Sequence, residues 1–192
     1  AAQISNTCIA AGDSACQYTD ATGLGGGTLA PGGICAASAN RVTKTTCAAL
    51  GSAIAAQTAP TTYVLGAGTF TCAAGDIGLT IGAGKVVVIE GAGQGTTVID
   101  LDHKGRLFTL AGGSATLSSL TVENGQGGSG NGGLLIIEAN GANPTTGGGA
   151  FEANLVTIRN CATSGKGGVV LGVGGTFTLN QCLVSGNEAG TG

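Results

Sequence analysis

The chain has 192 residues, a formal net charge of −3 and only 9% charged residues. That length suffices for one domain with a sizeable core, while seven scattered Lys and Arg argue against a nucleic-acid patch or attraction to an anionic membrane. Apolar runs such as Val86-Val87-Val88-Ile89 fall far short of the roughly twenty residues that span a bilayer, so no membrane span is expected.

Residues 1–43 read as an irregular lead segment rich in Gly, Ala and Cys, without apolar periodicity. Cys8, Cys16, Cys35 and Cys47 crowd the first quarter of the chain. A segment that buries little apolar surface does not offset its ordering entropy, so these four are expected in disulfides, within the chain or to a neighbour, with connectivity left open. Seven cysteines, no methionine and a start at Ala1-Ala2 point to a processed chain or a fragment from an oxidising, extracellular compartment.

Residues 44–192 are predicted to form one stacked domain. A short amphipathic helix is expected over about 46–57, with Thr45 or Thr46 as N-cap and Cys47, Leu50, Gly51 and Ile54 on one face. Strands are expected at 62–65, 79–81, 86–90 and 97–100, separated by Gly-rich corners. The strings Gly91-Ala92-Gly93-Gln94-Gly95 and Gly82-Ala83-Gly84-Lys85 lack a Walker pattern and are read as corners.

The second half repeats itself. Gly132-Gly133-Leu134-Leu135 and Phe151-Glu152-Ala153-Asn154 are echoed by Gly167-Gly168-Val169-Val170 and Phe177-Thr178-Leu179-Asn180, and an earlier copy runs from Leu117 to Asn124. Aligning Val122, Ile158 and Val184 gives spacings of 36 and 26, the longer one holding a Gly/Asn/Pro/Thr-rich loop at 138–148. This spacing predicts a β-solenoid in which Leu117, Leu120, Val122, Val156, Ile158, Leu179, Cys182 and Val184 point into one core. Cys72, two residues after Phe70 as Leu179 is after Phe177, and Cys182 are expected to be buried thiols. Cys161, in a turn just past a strand, is expected to be free or bonded to a neighbouring molecule.

The helix, the Gly68-Thr69-Phe70 corner, Ile89-Glu90-Gly91-Ala92-Gly93 and Thr97-Val98-Ile99-Asp100 resemble the opening of right-handed parallel β-helix proteins with the pectin-lyase-like fold. In that fold such a helix caps the open end of the solenoid. The Gly-Gly-apolar-apolar tetrads and Phe-x-x-Asn units resemble the repeats of chlamydial-type polymorphic outer-membrane proteins, although Phe70 and Phe108 lack the Asn. Together these resemblances cover residues 44–190. They imply an all-β, right-handed parallel β-helix with a short N-terminal capping helix, secreted or surface-displayed for adhesion or surface structure.

The pectin-lyase-like fold also hosts polysaccharide lyases and hydrolases, so an enzyme needs a site. The densest chemistry is Asp100-Leu101-Asp102-His103-Lys104-Gly105-Arg106; if Asp100 and Asp102 share a strand face they could hold a cation beside Lys104 or Arg106. No second carboxylate cluster lies one repeat away, so this run reads as a solvated corner, and His103, the only histidine, has no nucleophile partner. Ranks of outward Thr at Thr69, Thr71, Thr176 and Thr178 suggest ice binding, but Ala150 and Glu152 interrupt them. No cofactor or metal is expected. The favoured expectation is a non-catalytic extracellular subunit polymerising head-to-tail with itself. A surface adhesin that binds glycans comes second and a polysaccharide-active enzyme third.

Overall fold

The computed structural model describes residues 17–18, 27–28, 41–127, 130–138 and 148–190. The chain divides into two compact units, Ala1–Ala39 and Asn40–Gly192. In the first, β1 (Gln17–Tyr18) pairs antiparallel with β2 (Gly27–Thr28). Cys8, Cys16 and Cys35 lie outside the described residues.

The second unit is all-β apart from one helix and a 3-10 turn, and its strand pairings are parallel, with an isolated antiparallel bridge between Gly82 and Gly112. It opens with β3 (Arg41–Lys44), a strand inside the stretch expected to be irregular. Four residues are too short to display a period; β3 is held by its pairing with β4 (Thr61–Leu65). Between them α1 (Cys47–Ala55) is shorter than the predicted 46–57, because its carbonyls already close onto Ala56 and Gln57. Thr46 is its N-cap, the hydroxyl accepting from the Ala49 amide at 3.1 Å. Cys47, Leu50, Gly51 and Ile54 form the buried face as the spacing predicts.

From β4 onward each stretch of chain adds one layer. β5 (Gly68–Thr71) and β6 (Leu79–Gly82) complete the first layer; β7 (Val86–Glu90), β8 (Thr97–Asp100) and β9 (Phe108–Ala111) make the second. β10 (Ser114–Glu123) and β11 (Leu135–Ile137) follow, then β12 (Ala150–Arg159), β13 (Ala162–Thr163) and β14 (Val170–Gly172), and finally β15 (Thr176–Asn180), β16 (Leu183–Ser185) and β17 (Glu188–Ala189). The main sheet runs β15-β12-β10-β7-β4-β3, with β16, β8 and β5 on a side path; a second sheet runs β14-β11-β9-β6. In the last three layers the strand alternation breaks once at a left-handed residue, Ser119 (φ 54), Leu155 (φ 55) and Gln181 (φ 54). That insertion lets Leu117 and Leu120, three apart, both face inward, and it divides β10 between β7 and β8.

The register matches the repeat spacing. Val122 pairs with Ile158 and Ile158 with Val184; Leu117 pairs with Ala153 and Ala153 with Leu179. The Gly-Gly tetrads stack as well, Leu135 on Val170, with the Gly133 amide donating to the Gly167 carbonyl. Gly132 and Gly167 take φ of 70° and 73°. A Cβ on Gly133 would collide with the Gly168 carbonyl oxygen, so the second Gly is fixed by close approach of the layers. In the Phe-x-x-Asn units, Phe151 and Phe177 stack with ring centroids 5.5 Å apart. The Asn180 amide donates to Asn154 Oδ1 at 2.8 Å on the outside. Phe70 and Phe108 pair with Ile99 and Leu135, in other columns, which explains why no Asn follows them.

Leu117, Leu120, Val122, Val156 and Ile158 are buried in one core. Leu179 and Val184 keep the same columns but are exposed and Cys182 is only half-buried, because among the described residues nothing packs over the last layer. Cys72 is buried but is no thiol: it bonds Cys47, which the cap helix delivers to the end of the stack, a contact that repeat alignment alone does not contain. Cys161 is free but fully buried, so it is not available to a neighbouring molecule; the turn that carries it is folded inward, its amide donating to Asn187 Oδ1 at 2.8 Å. Among the described residues, no helix is long and apolar enough to cross a membrane.

Candidate functional site

Asp100, Asp102, Lys104 and Arg106 form a corner whose polar groups are engaged locally. Asp100 ends β8, but the chain turns left-handed at Asp102 (φ 45) and His103 (φ 54), so the two carboxylates do not share a strand face. Asp100 Oδ1 accepts from the Asp102 amide at 2.9 Å and from Asn124 Nδ2 at 2.8 Å, which binds this corner to the next layer. Lys104 Nζ lies 3.7 Å from Asp102 in an exposed pair, while Arg106 donates to the Gly127 carbonyl. Among the described residues, no three His, Cys, Asp or Glu side chains cluster closely enough to hold a metal ion.

Among the described residues, the strand edges without a partner lie elsewhere, at β3 and at β14 to β17. At one end α1 covers the core. It packs on β3, β6 and the turn at Ala74–Asp76. The Cys47–Cys72 disulfide pins its first residue and Tyr63 Oη donates to the Ala53 carbonyl at 3.1 Å. Burial pushes the Tyr63 hydroxyl above its ordinary pKa, partly offset by a hydrogen bond with Thr61. The outward residues Ala48, Ser52 and Ala55 are small and uncharged. Beside the helix β3 presents Arg41, Val42 and Thr43 to solvent, with Arg41 reaching Glu90 at 2.5 Å.

At the other end, β15 and β16 pair only with β12 among the described residues, and β17 only with β13. Every residue of β15 and β16 is exposed. Phe177 is 39% accessible, Leu179 37%, Val184 45% and Leu183 58%. Between Gly167 and Gly190 the sequence has one charged residue, Glu188, and no proline. Exposed strand edges ordinarily carry charge, proline or a covering element that prevents pairing. This one carries almost nothing against it. Sequence reading puts Leu179 and Leu117 in equivalent positions but does not show the state of their side chains, which differ because, among the described residues, Leu117 has a strand on both sides and Leu179 on one.

Thr176 and Thr178 pair with Ala150 and Glu152, so the outward Thr rank is interrupted where the sequence places the break. No protein-family model, curated protein or solved structure matches this chain.

Proposed function

We propose that the chain is a right-handed parallel β-helix serving as a non-catalytic, extracellular structural subunit that polymerises head-to-tail into a filament or surface appendage. The observation that carries this reading is the contrast between the ends of the stack. One is covered by a disulfide-pinned helix; at the other, among the described residues, β15 and β16 pair on one side only and expose Phe177, Leu179 and Val184, and no strand extends the second sheet past β14. Parallel strand–crossover–strand connections are right-handed in about 98% of cases, which supports the handedness. The Cys47–Cys72 bond fits an oxidising compartment. Unlike ends joining each other make a heterologous contact that does not close, whose product is a fibre. A charge density of 9% adds little repulsion to that contact.

The test is light scattering over a concentration series followed by negative-stain microscopy. Filaments that persist in high salt are the expected result. A protein that stays monomeric at high concentration would sink the polymer reading, and glycan binding by that monomer would establish the adhesin instead.

A further inference from the structure

We infer that Asn124 is a latent deamidation site, and that loss of its side-chain amide opens the corner joining the second layer to the third. The sequence contains three Asn-Gly pairs, Asn124-Gly125, Asn131-Gly132 and Asn140-Gly141, the last outside the described residues. A glycine after asparagine carries no Cβ to obstruct its own nitrogen, which therefore reaches the asparagine side chain readily. In the reaction the Gly125 nitrogen bonds to Cγ of Asn124, the Cγ–Nδ2 bond breaks, and Nδ2 leaves as ammonia with the Gly125 amide proton. Water then opens the cyclic imide to aspartate or to its β-linked isomer, so water is the only co-reactant.

The fold dictates both residues of this pair. Asn124 takes φ of 58°, a region in which Asn is among the favoured non-glycine residues. A Cβ on Gly125 would lie 2.5 Å from the Gly133 carbonyl oxygen and 3.0 Å from Cys161 Sγ, so packing requires the glycine. Asn160 follows Arg159 as Asn124 follows its partner Glu123, and it takes φ of 55°, but its successor is Cys161. It is an internal reference with the same backbone conformation and a hindered nitrogen.

Folding holds the pair away from reaction. The Asn124 amide donates to the Arg159 carbonyl at 3.2 Å, its carbonyl accepts from the His103 amide at 2.8 Å, and the Gly125 carbonyl accepts from Ala162 at 2.8 Å. The Gly125 amide donates to the Cys161 thiol. Ring closure therefore waits on local opening of the ladder.

The product does not fit the place the amide leaves. Asn124 Nδ2 donates to Asp100 Oδ1 at 2.8 Å, and an ionised carboxylate can only accept. Deamidation sets a second carboxylate where the donor was, next in sequence to Glu123, and turns the interlayer bond into a repulsion. Asn131 differs, because its Oδ1 accepts from the Lys166 amide at 2.7 Å, a role that a carboxylate keeps.

The experiment has two arms, both on the full chain. Wild type is held at a mildly alkaline pH, folded or in guanidinium chloride, and peptide mapping by mass spectrometry follows amide-to-acid conversion at each asparagine. In the denatured chain Asn124 is expected to convert well ahead of Asn160; in the folded chain its conversion is expected to slow at least about tenfold. The second arm installs the product. Asn124→Asp is expected to lower the urea midpoint and Asn131→Asp to leave it unchanged. Combining Asn124→Asp with Asp100→Asn exchanges donor and acceptor and is expected to restore most of the loss. Equal rates in folded and denatured chains, no lead of Asn124 over Asn160 when denatured, an Asn124→Asp midpoint equal to wild type, a loss as large in Asn131→Asp, or no recovery in the exchange would each overturn the inference.

Discussion

The column Val122–Ile158–Val184 offers a direct measure of what a covering layer contributes. Ile158 is 0% accessible and lies between its two column neighbours, whereas Val184 has Ile158 on one side and solvent on the other. Ile158→Ala removes three buried carbons, about 2.4 kcal/mol at about 0.8 kcal/mol each. The cavity left between two layers brings the cost to about 3–4 kcal/mol. Val184→Ala removes two carbons that are roughly half-buried and opens no enclosed cavity, so about 0.8 kcal/mol is expected. The difference is read from urea unfolding followed by far-UV circular dichroism, at a concentration where scattering shows only monomer. Stacked layers need not unfold in one step, so midpoint shifts and the shape of the transition are compared rather than a single free energy. Equal costs for the two substitutions in the monomer would refute the claim that the last layer is uncovered. Under assembling conditions the Val184→Ala cost is expected to rise toward that of an enclosed valine.

Burial, with a smaller effect of Glu123, pushes the Cys161 thiol from 9.0 up to about 11, against a lowering by the Gly125 backbone. The folded value lies above the unfolded one, so this contribution is complete below about pH 9 and is lost as pH rises toward 11. Its size is about 2–3 kcal/mol; Cys161→Ala is expected to flatten that part of the stability–pH curve, and an unchanged slope would contradict it. Removing the Cys47–Cys72 bond, which closes a 25-residue separation, by the double Ser substitution should cost about 3–4 kcal/mol in chain entropy; an unshifted urea midpoint would show that α1 is held without it. Gly133→Ala forces a Cβ onto the Gly168 carbonyl and should lower the midpoint sharply, while Gly172→Ala, with open space around it, should be neutral or stabilising by about 0.4–1 kcal/mol.

The parts of the fold that sequence reading finds are those that depend on repetition. Leu120, Val156 and their neighbours recur at one period, and a parallel layer must present the same inward positions at each pass. The cap helix is equally legible, since Thr46 and the spacing of Cys47, Leu50 and Ile54 are local signals. Features that depend on two distant stretches meeting are lost. Nothing in the spacing connects Cys47 to Cys72, and alignment with the repeats assigns Cys72 the role of a packed thiol. Strand β3 is invisible because four residues show no period and, among the described residues, it is held through its pairing with β4, a distant stretch of chain. Cys161 is free, one of its two expected states, but its burial was not legible: turns are generally solvated, whereas this one folds beneath Asn187, whose side chain accepts from the Cys161 amide and donates to the Ile158 carbonyl. The exposure of Phe177 and Leu179 was not legible, since they occupy the same columns as the buried Phe151 and Ala153.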